Sequence, residues 1–212
     1  YNFPDLLFLH VSHLLEQGEY GRATVECVRL IRETGQGHAS PISETATLHL
    51  WERFVYAYVK YDVLHLLAPH LPSQRPFALS EAVCSFVLEE FMVPRAREFA
   101  MLVQEWDPAP DDDKTALPLY DTDSLLSKLD TFQSTSPWHR IAKAHIHRMR
   151  GEWDLSLDCY LESTVFEDDS NSSSSGDSSG RGLGFDYSPV FAMITRHDLY
   201  AAVQERLWAV SR

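Results

Sequence analysis

The sequence predicts an all-α fold, an α-solenoid of stacked antiparallel helix hairpins, on three observations. Gly18-Glu19-Tyr20-x-x-Ala23 and Gly151-Glu152-Trp153-x-x-Ser156 are near copies of one turn, each lying between two apolar helical stripes. Glycine allows the reversal where a Cβ would clash, the aromatic is expected to plug the space between the helices, and the small residue three positions on lets them approach. Apolar residues recur at helical spacing through most of the chain, and nowhere do β-branched or aromatic residues alternate with polar ones between turn signals, so no strand is expected.

Pro4 opens a first helix with Leu6, Leu7, Val11, Leu14 and Leu15 on a wide stripe ending at Gly18. A second runs from Tyr20 to about Glu33, with Tyr20, Ala23, Cys27, Leu30 and Ile31 on one face, until Gly35-Gln36-Gly37 breaks it. Ser43 caps a third, in which Trp51, Phe54, Val55, Tyr58 and Tyr61 recur. A short segment from Val63 to Leu67 stops at Pro69 and Pro72.

Ser80 caps a helix through Phe91, and Pro94 opens one through about Trp106. The loop at 107–120 follows, with Asp111, Asp112 and Asp113 adjacent, and Asp121 to Leu129 reads as a further helix. Ser136-Pro137 starts a pair, with Trp138, Ile141, Ala142, His145 and Met149 on the first helix and Trp153, Ser156, Leu157 and Tyr160 on the second. From Glu167 the composition turns to Asp, Ser and Gly, with too little apolar surface to offset ordering, so 167–187 is expected to be a mobile insertion. Ser188-Pro189 caps a helix carrying Val190, Phe191, Ile194 and His197, and Asp198 begins the last one. Residues 1–212 are thus expected to form a single solenoid segment.

Composition narrows the function. Eighteen basic against 31 acidic residues give a formal charge of -13, which repels nucleic acid and anionic lipid. Arg22, Arg29 and Arg32 form no basic patch, being interleaved with Glu26 and Glu33 at helical spacing. Cys27, Cys84 and Cys159 are far apart, which suits a reducing, cytoplasmic setting rather than a disulfide framework or zinc ribbon. No apolar run reaches the roughly 18 residues of a membrane span. The chain opens at Tyr1 rather than Met and stops at Arg212 inside a helical stretch, so a piece of a longer protein is expected, with apolar helix faces exposed at both ends.

No catalytic, cofactor-binding or metal-ligating residue is assigned. His10-x-x-His13 lacks the Glu and third ligand of a zinc motif, and His145, in a looser group with His139, His147 and Cys159, falls on the apolar stripe as an interior histidine would. Phosphate-loop, dinucleotide and nucleophile-elbow patterns are missing, and Gly180-Arg-Gly-Leu-Gly184 follows no strand. Thr164-x-x-Glu167 and Ser174-x-x-Asp177 offer phosphorylation spacings of the kind any Ser/Asp-rich linker contains. A stand-alone tetratricopeptide-type peptide receptor is the alternative to a scaffold. The first helix, however, has none of the Lys, Arg or interior Asn that would clamp a peptide carboxylate.

The block Trp51-Glu-Arg-Phe-Val-Tyr-Ala-Tyr-Val-Lys-Tyr-Asp-Val-Leu-His-Leu-Leu-Ala-Pro-His-Leu-Pro72 closely resembles the vacuolar protein sorting-associated protein 41 family, a subunit of the HOPS tethering complex. Trp51, Glu52, Val55, Tyr56, Leu64, Pro69, Leu71 and Pro72 have counterparts there in ungapped register. His13-Leu14-Leu15 with Gly18-x-Tyr20-x-x-Ala23 is similar to the preceding helix pair of that family, and Val190-Phe191-x-x-Ile194-x-x-His197-x-Leu199 to a later stretch. The resemblance runs from about Leu6 to Val203 and is weakest at 107–135; the Ser/Asp-rich insertion departs from it.

It implies an internal solenoid segment, tetratricopeptide-like or clathrin-heavy-chain-repeat-like, between an N-terminal β-propeller and a C-terminal RING-like zinc domain. It further implies a non-enzymatic scaffold in fusion of late endosomes or vesicles with the vacuole or lysosome. Its partners would be other tethering-complex subunits and a vesicle coat adaptor. It would sit peripherally on the cytosolic face of those membranes, and no residue is assigned to partner binding.

Overall fold

The computed structural model describes residues 3–35, 43–73, 78–106, 118–132, 136–170 and 188–210. All described secondary structure is helical, and the chain divides into two compact units, Tyr1–Glu90 and Phe91–Arg212.

The first unit holds α1 (Phe3–Glu16), α2 (Tyr20–Gly35), α3 (Glu44–Lys60), α4 (Leu64–Leu67) with a 3-10 turn at Ala68–His70, and most of α5 (Glu81–Met92). Helix α1 buries Leu7, Val11, Leu14 and Leu15, the stripe its sequence lays down. Ala23, Cys27, Phe54, Val55, Tyr58 and Leu67 are fully enclosed around it. The side chain of Ser43 caps α3, its Oγ accepting from the Ala46 amide at 3.2 Å. The buried Tyr58 hydroxyl lies 3.1 Å from Thr24 Oγ, which itself donates to the Tyr20 carbonyl.

The second unit holds α6 (Ala96–Glu105), α7 (Thr122–Thr131), α8 (Pro137–Met149), α9 (Trp153–Ser170), α10 (Ser188–Arg196) and α11 (Tyr200–Val210). Asp121 is the N-cap of α7 rather than its first helical residue, its Oδ1 accepting from the Asp123 and Ser124 amides. Pro94 lies in the turn ahead of α6, which begins at Ala96. Ser156 of α9 is fully buried and donates to the Ala144 carbonyl of α8 at 2.8 Å, so the small residue of the second turn both admits the partner helix and bonds to it. Helix α9 continues through Ser170, beyond the start of the polar tract at Glu167, because extending a formed helix fixes few dihedrals per new hydrogen bond. The rest of that tract, and the acidic loop at 107–117, lie outside the described residues.

The two glycine turns are Schellman closures. Gly18 has φ +77° and Gly151 +74°. The Gly18 and Glu19 amides donate to the Leu15 and Leu14 carbonyls, and the Gly151 and Glu152 amides to those of Arg148 and His147. Two further turns share this geometry with aspartate in the left-handed position, Asp62 at φ 56° and Asp198 at φ 52°. Val63 N donates to Tyr58 O and Leu199 N to Ile194 O, the same long bond across the helix end. Asp198 therefore closes α10, and the last helix begins at Tyr200.

The turn aromatics reach beyond their own hairpins. Tyr20 and Trp153 are half-buried. Each reaches the residue just past the first helix of the following hairpin: Tyr20 meets the Tyr61 ring at 6.4 Å, and Trp153 stacks on His197 at 3.8 Å. A ring leaving the turn at that position points along the stack, so it ties successive hairpins.

A Cβ on Gly18 would meet nothing within 4 Å, so Gly18→Ala tests the backbone alone. It is expected to cost about 1–2 kcal/mol in a denaturant melt, the left-handed penalty of an L side chain. Asp62→Gly, which relieves that penalty, is expected to stabilise.

Candidate interaction surface

Residues 51–72, the densest chemical signature of the sequence, form most of α3, its closing turn and α4. Trp51 is 6% exposed and Val55 is fully buried, as the stripe predicts, and Leu64 and Leu71 are also enclosed. Glu52 is only partly buried and accepts a 2.7 Å hydrogen bond from Ser80 Oγ, while His49 Nδ1 lies 3.7 Å from its other oxygen. Ser80 directly precedes α5, its carbonyl accepting from Cys84 N, and its hydroxyl ties that helix start to α3 by donating to Glu52. Tyr56 remains 54% exposed, its ring 5.3 Å from that of Phe86 on α5. Pro69 lies in the 3-10 turn, and the Pro72 carbonyl accepts from Leu79 N, closing the passage to α5.

Ser80→Ala removes the Glu52 bond. We expect it to cost about 1 kcal/mol in a denaturant melt, an ordinary hydrogen bond's net contribution.

The histidines do not converge. His13 Nε2 meets the side chain of Gln17. His139 lies between the Phe99 and Phe132 rings and donates from Nε2 to the Met92 carbonyl at 2.5 Å. His147 Nδ1 pairs with Glu152 at 2.6 Å, and that carboxylate also takes Arg150. His145 is fully buried against Tyr160, whose hydroxyl is 3.1 Å from Nδ1, and burial pushes its pKa down to about 3. Among the described residues no group of three or more His, Cys, Asp or Glu could hold a metal ion.

The three thiols are free and buried; desolvation pushes Cys84 up to about 12 and Cys159 to about 11, and raises Cys27 as well. Thiolates are the reactive form, so these are packing residues.

Charge on the described helices is largely paired within each unit. Arg22 takes Glu19 and Arg29 takes Glu26, both three residues apart. Arg206 of α11 holds Asp158 and Asp154 of α9, and Lys143 binds Asp130 at 2.5 Å. No described helix is long and apolar enough to cross a membrane.

These enclosed and surface positions of the 51–72 block sit inside a longer match. Residues 7–111 fit the family pattern described as the Vps41 TPR-like region. The stretch is a Vps41-type repeat region. The vacuolar protein sorting-associated protein 41 homolog of Mus musculus is 28% identical over 102 residues, which is 48% of this chain and 10% of the mouse protein. The matched stretch therefore covers about a tenth of that relative. No solved structure matches. The Vps41-type match covers both the first turn at Gly18 and the 51–72 block, while Val190–Leu199 lies beyond it. Sequence reasoning missed Asp62 and Asp198 as turn closers; the signal was there, since Asp is among the few non-glycine residues that adopt the left-handed conformation.

Proposed function

We propose that this chain is a non-enzymatic scaffold segment of a vesicle-tethering subunit, acting where late endosomes or vesicles fuse with the vacuole or lysosome. The Vps41-type match over residues 7–111 carries the reading. Its physical support is that the family signature is spent on joining helices: Trp51 and Val55 fill the core of the first unit, and Glu52 and Tyr56 bind α3 to α5. A stacked hairpin array transmits position between its ends through nearest-neighbour packing, which suits a spacer. Residues 1–212 act as one such spacer, with further subunits of the complex and a coat adaptor as partners and the cytosolic face of those membranes as the location.

The full-length polypeptide with residues 44–72 removed is the test. If the segment couples two ends, each end keeps its own partner in pull-downs while liposome tethering by the reconstituted complex fails. Tethering at the unaltered rate would overturn the proposal.

A further inference from the structure

An arginine laid on an aromatic ring occurs in both units, with different surroundings. On α3 the Arg53 guanidinium lies 4.1 Å from the centre of the Phe8 ring and takes the Asp5 carboxylate at 2.9 Å. On α6 the Arg97 guanidinium lies 5.6 Å from the centre of the Trp138 ring of α8, and among the described residues no carboxylate joins it. Its own helix supplies none. The residues three and four positions away are Val93, Pro94, Ala100 and Met101, whereas Arg22, Arg29 and Arg95 each pair with a glutamate three positions off. Glu98, the next residue, stands about 100° around the helix and turns to Arg95 instead.

A ring against one face of a guanidinium holds it in place and leaves the N–H donors in its plane for an acceptor, which a carboxylate fits two bonds at a time. Lys60 lies over Tyr61 at 5.3 Å, but a compact, strongly hydrated ammonium has less to gain from a second partner. The surroundings of Arg97 are those of a contact surface. Arg97 is exposed, Trp138 is half-buried, and Met101, one turn along α6, is 55% exposed. Protein interfaces concentrate Trp, Arg and Met, and Trp and Arg carry much of their binding energy.

We infer that Arg97, Trp138 and Met101 form a docking site for an acidic segment of another protein. That segment sets an Asp or Glu carboxylate on the Arg97 guanidinium, as Asp5 is set on Arg53, and lays an apolar side chain over Met101, about 6 Å further along α6. Charge complementarity selects this occupant. A basic or wholly apolar segment would cover the guanidinium and leave its charge unpaired, which costs more than the apolar contact returns. At a formal charge of -13 the chain repels acidic segments at long range, so one is held only where a fixed cation meets it. The inference rests on the α6 surface and not on the tethering role.

Site-specific photocrosslinking tests it. Benzoylphenylalanine replaces Met101, apolar for apolar, in the full-length polypeptide within its native complex, and the cross-linked peptide is sequenced by mass spectrometry. Expected is a peptide of a different protein with an Asp or Glu within about four residues of the attachment point. Arg97→Glu should lower the yield by roughly tenfold or more, the loss of a charge-assisted pair. Arg97→Gln, which adds no charge, should lower it in the same direction. Replacing the partner's carboxylate residue by Arg should restore the yield to the Arg97→Glu chain and not to the wild type. That restoration also separates lost docking from lost folding, because a misfolded chain is not rescued by a change in its partner. A cross-link to lipid, to this chain itself, or to a peptide without a nearby carboxylate overturns the inference. So do the lack of any cross-link, a yield that Arg97→Glu leaves unchanged, and a charge swap that fails to restore it.

Discussion

Replacing Trp51 with alanine is expected to destabilise the chain by about 3–5 kcal/mol, the range for a large aromatic removed from a packed core. The ring is 6% exposed, and its neighbours along the helix, Leu50, Phe54 and Val55, are enclosed with it. The surrounding helices are held by separate devices, the Gly18 and Asp62 closures and the Glu52–Ser80 bond, so they cannot collapse freely into the void. In a thermal scan the loss corresponds to a midpoint lowered by roughly 6–20 °C for a chain of this size. Tyr56→Ala is the contrast on the same helix, and its 54% exposure limits the expected cost to about 1 kcal/mol. A loss below about 1 kcal/mol for Trp51→Ala would move that ring out of the core and make it a partner contact.

The second large effect is on pH. His145 is fully buried and its folded-state pKa is pushed down to about 3 by desolvation, with the Arg148 charge adding in the same direction. The unfolded imidazole takes a proton below its ordinary value of about 6.5, and the folded one does not until near 3. The unfolded state therefore binds more protons throughout that window, and stability falls as pH falls. Between pH 7 and pH 5 the contribution amounts to about 2 kcal/mol of lost stability. Chemical denaturation of the wild type and of His145→Gln across that range separates this histidine from the other titrating groups. The glutamine variant should show the shallower dependence, and parallel curves would refute the assignment.

Much of the architecture is legible in the residues because helical propensity and periodicity are local. The stripe Leu7, Val11, Leu14, Leu15 and the stops at Gly18 and Gly151 require only the neighbouring few residues to be read. Ser43 is a cap because a serine ahead of a helical run has the amide three residues on within reach. Ser80 looks identical in sequence, yet its hydroxyl goes to Glu52, 28 residues earlier, and nothing local announces that acceptor. Tyr20 and Trp153 similarly carry more than the sequence announces, since an aromatic after a turn reads as filler for its own hairpin, and both rings also reach the next one.

Burial along α1 follows the same division. That Leu6 and Leu9 are apolar and helical is plain in the sequence, but apolarity alone does not separate a core stripe from an uncovered one. Leu7 at 3% and Leu6 at 52% are adjacent leucines on one helix. What separates them is the presence of α2 and α3 on one side and of no described helix on the other.

By itself the sequence determined the helical class, the hairpin turns, the family signature at 51–72 and the burial of its tryptophan. These depend on backbone preference and on apolar spacing, which act within a few turns of helix. Only the tertiary structure decided which hydroxyl pairs with which carboxylate and which leucines of α1 stay uncovered. Those outcomes depend on groups brought together from distant positions, and the free energy of a buried or exposed side chain is set by what lies across from it.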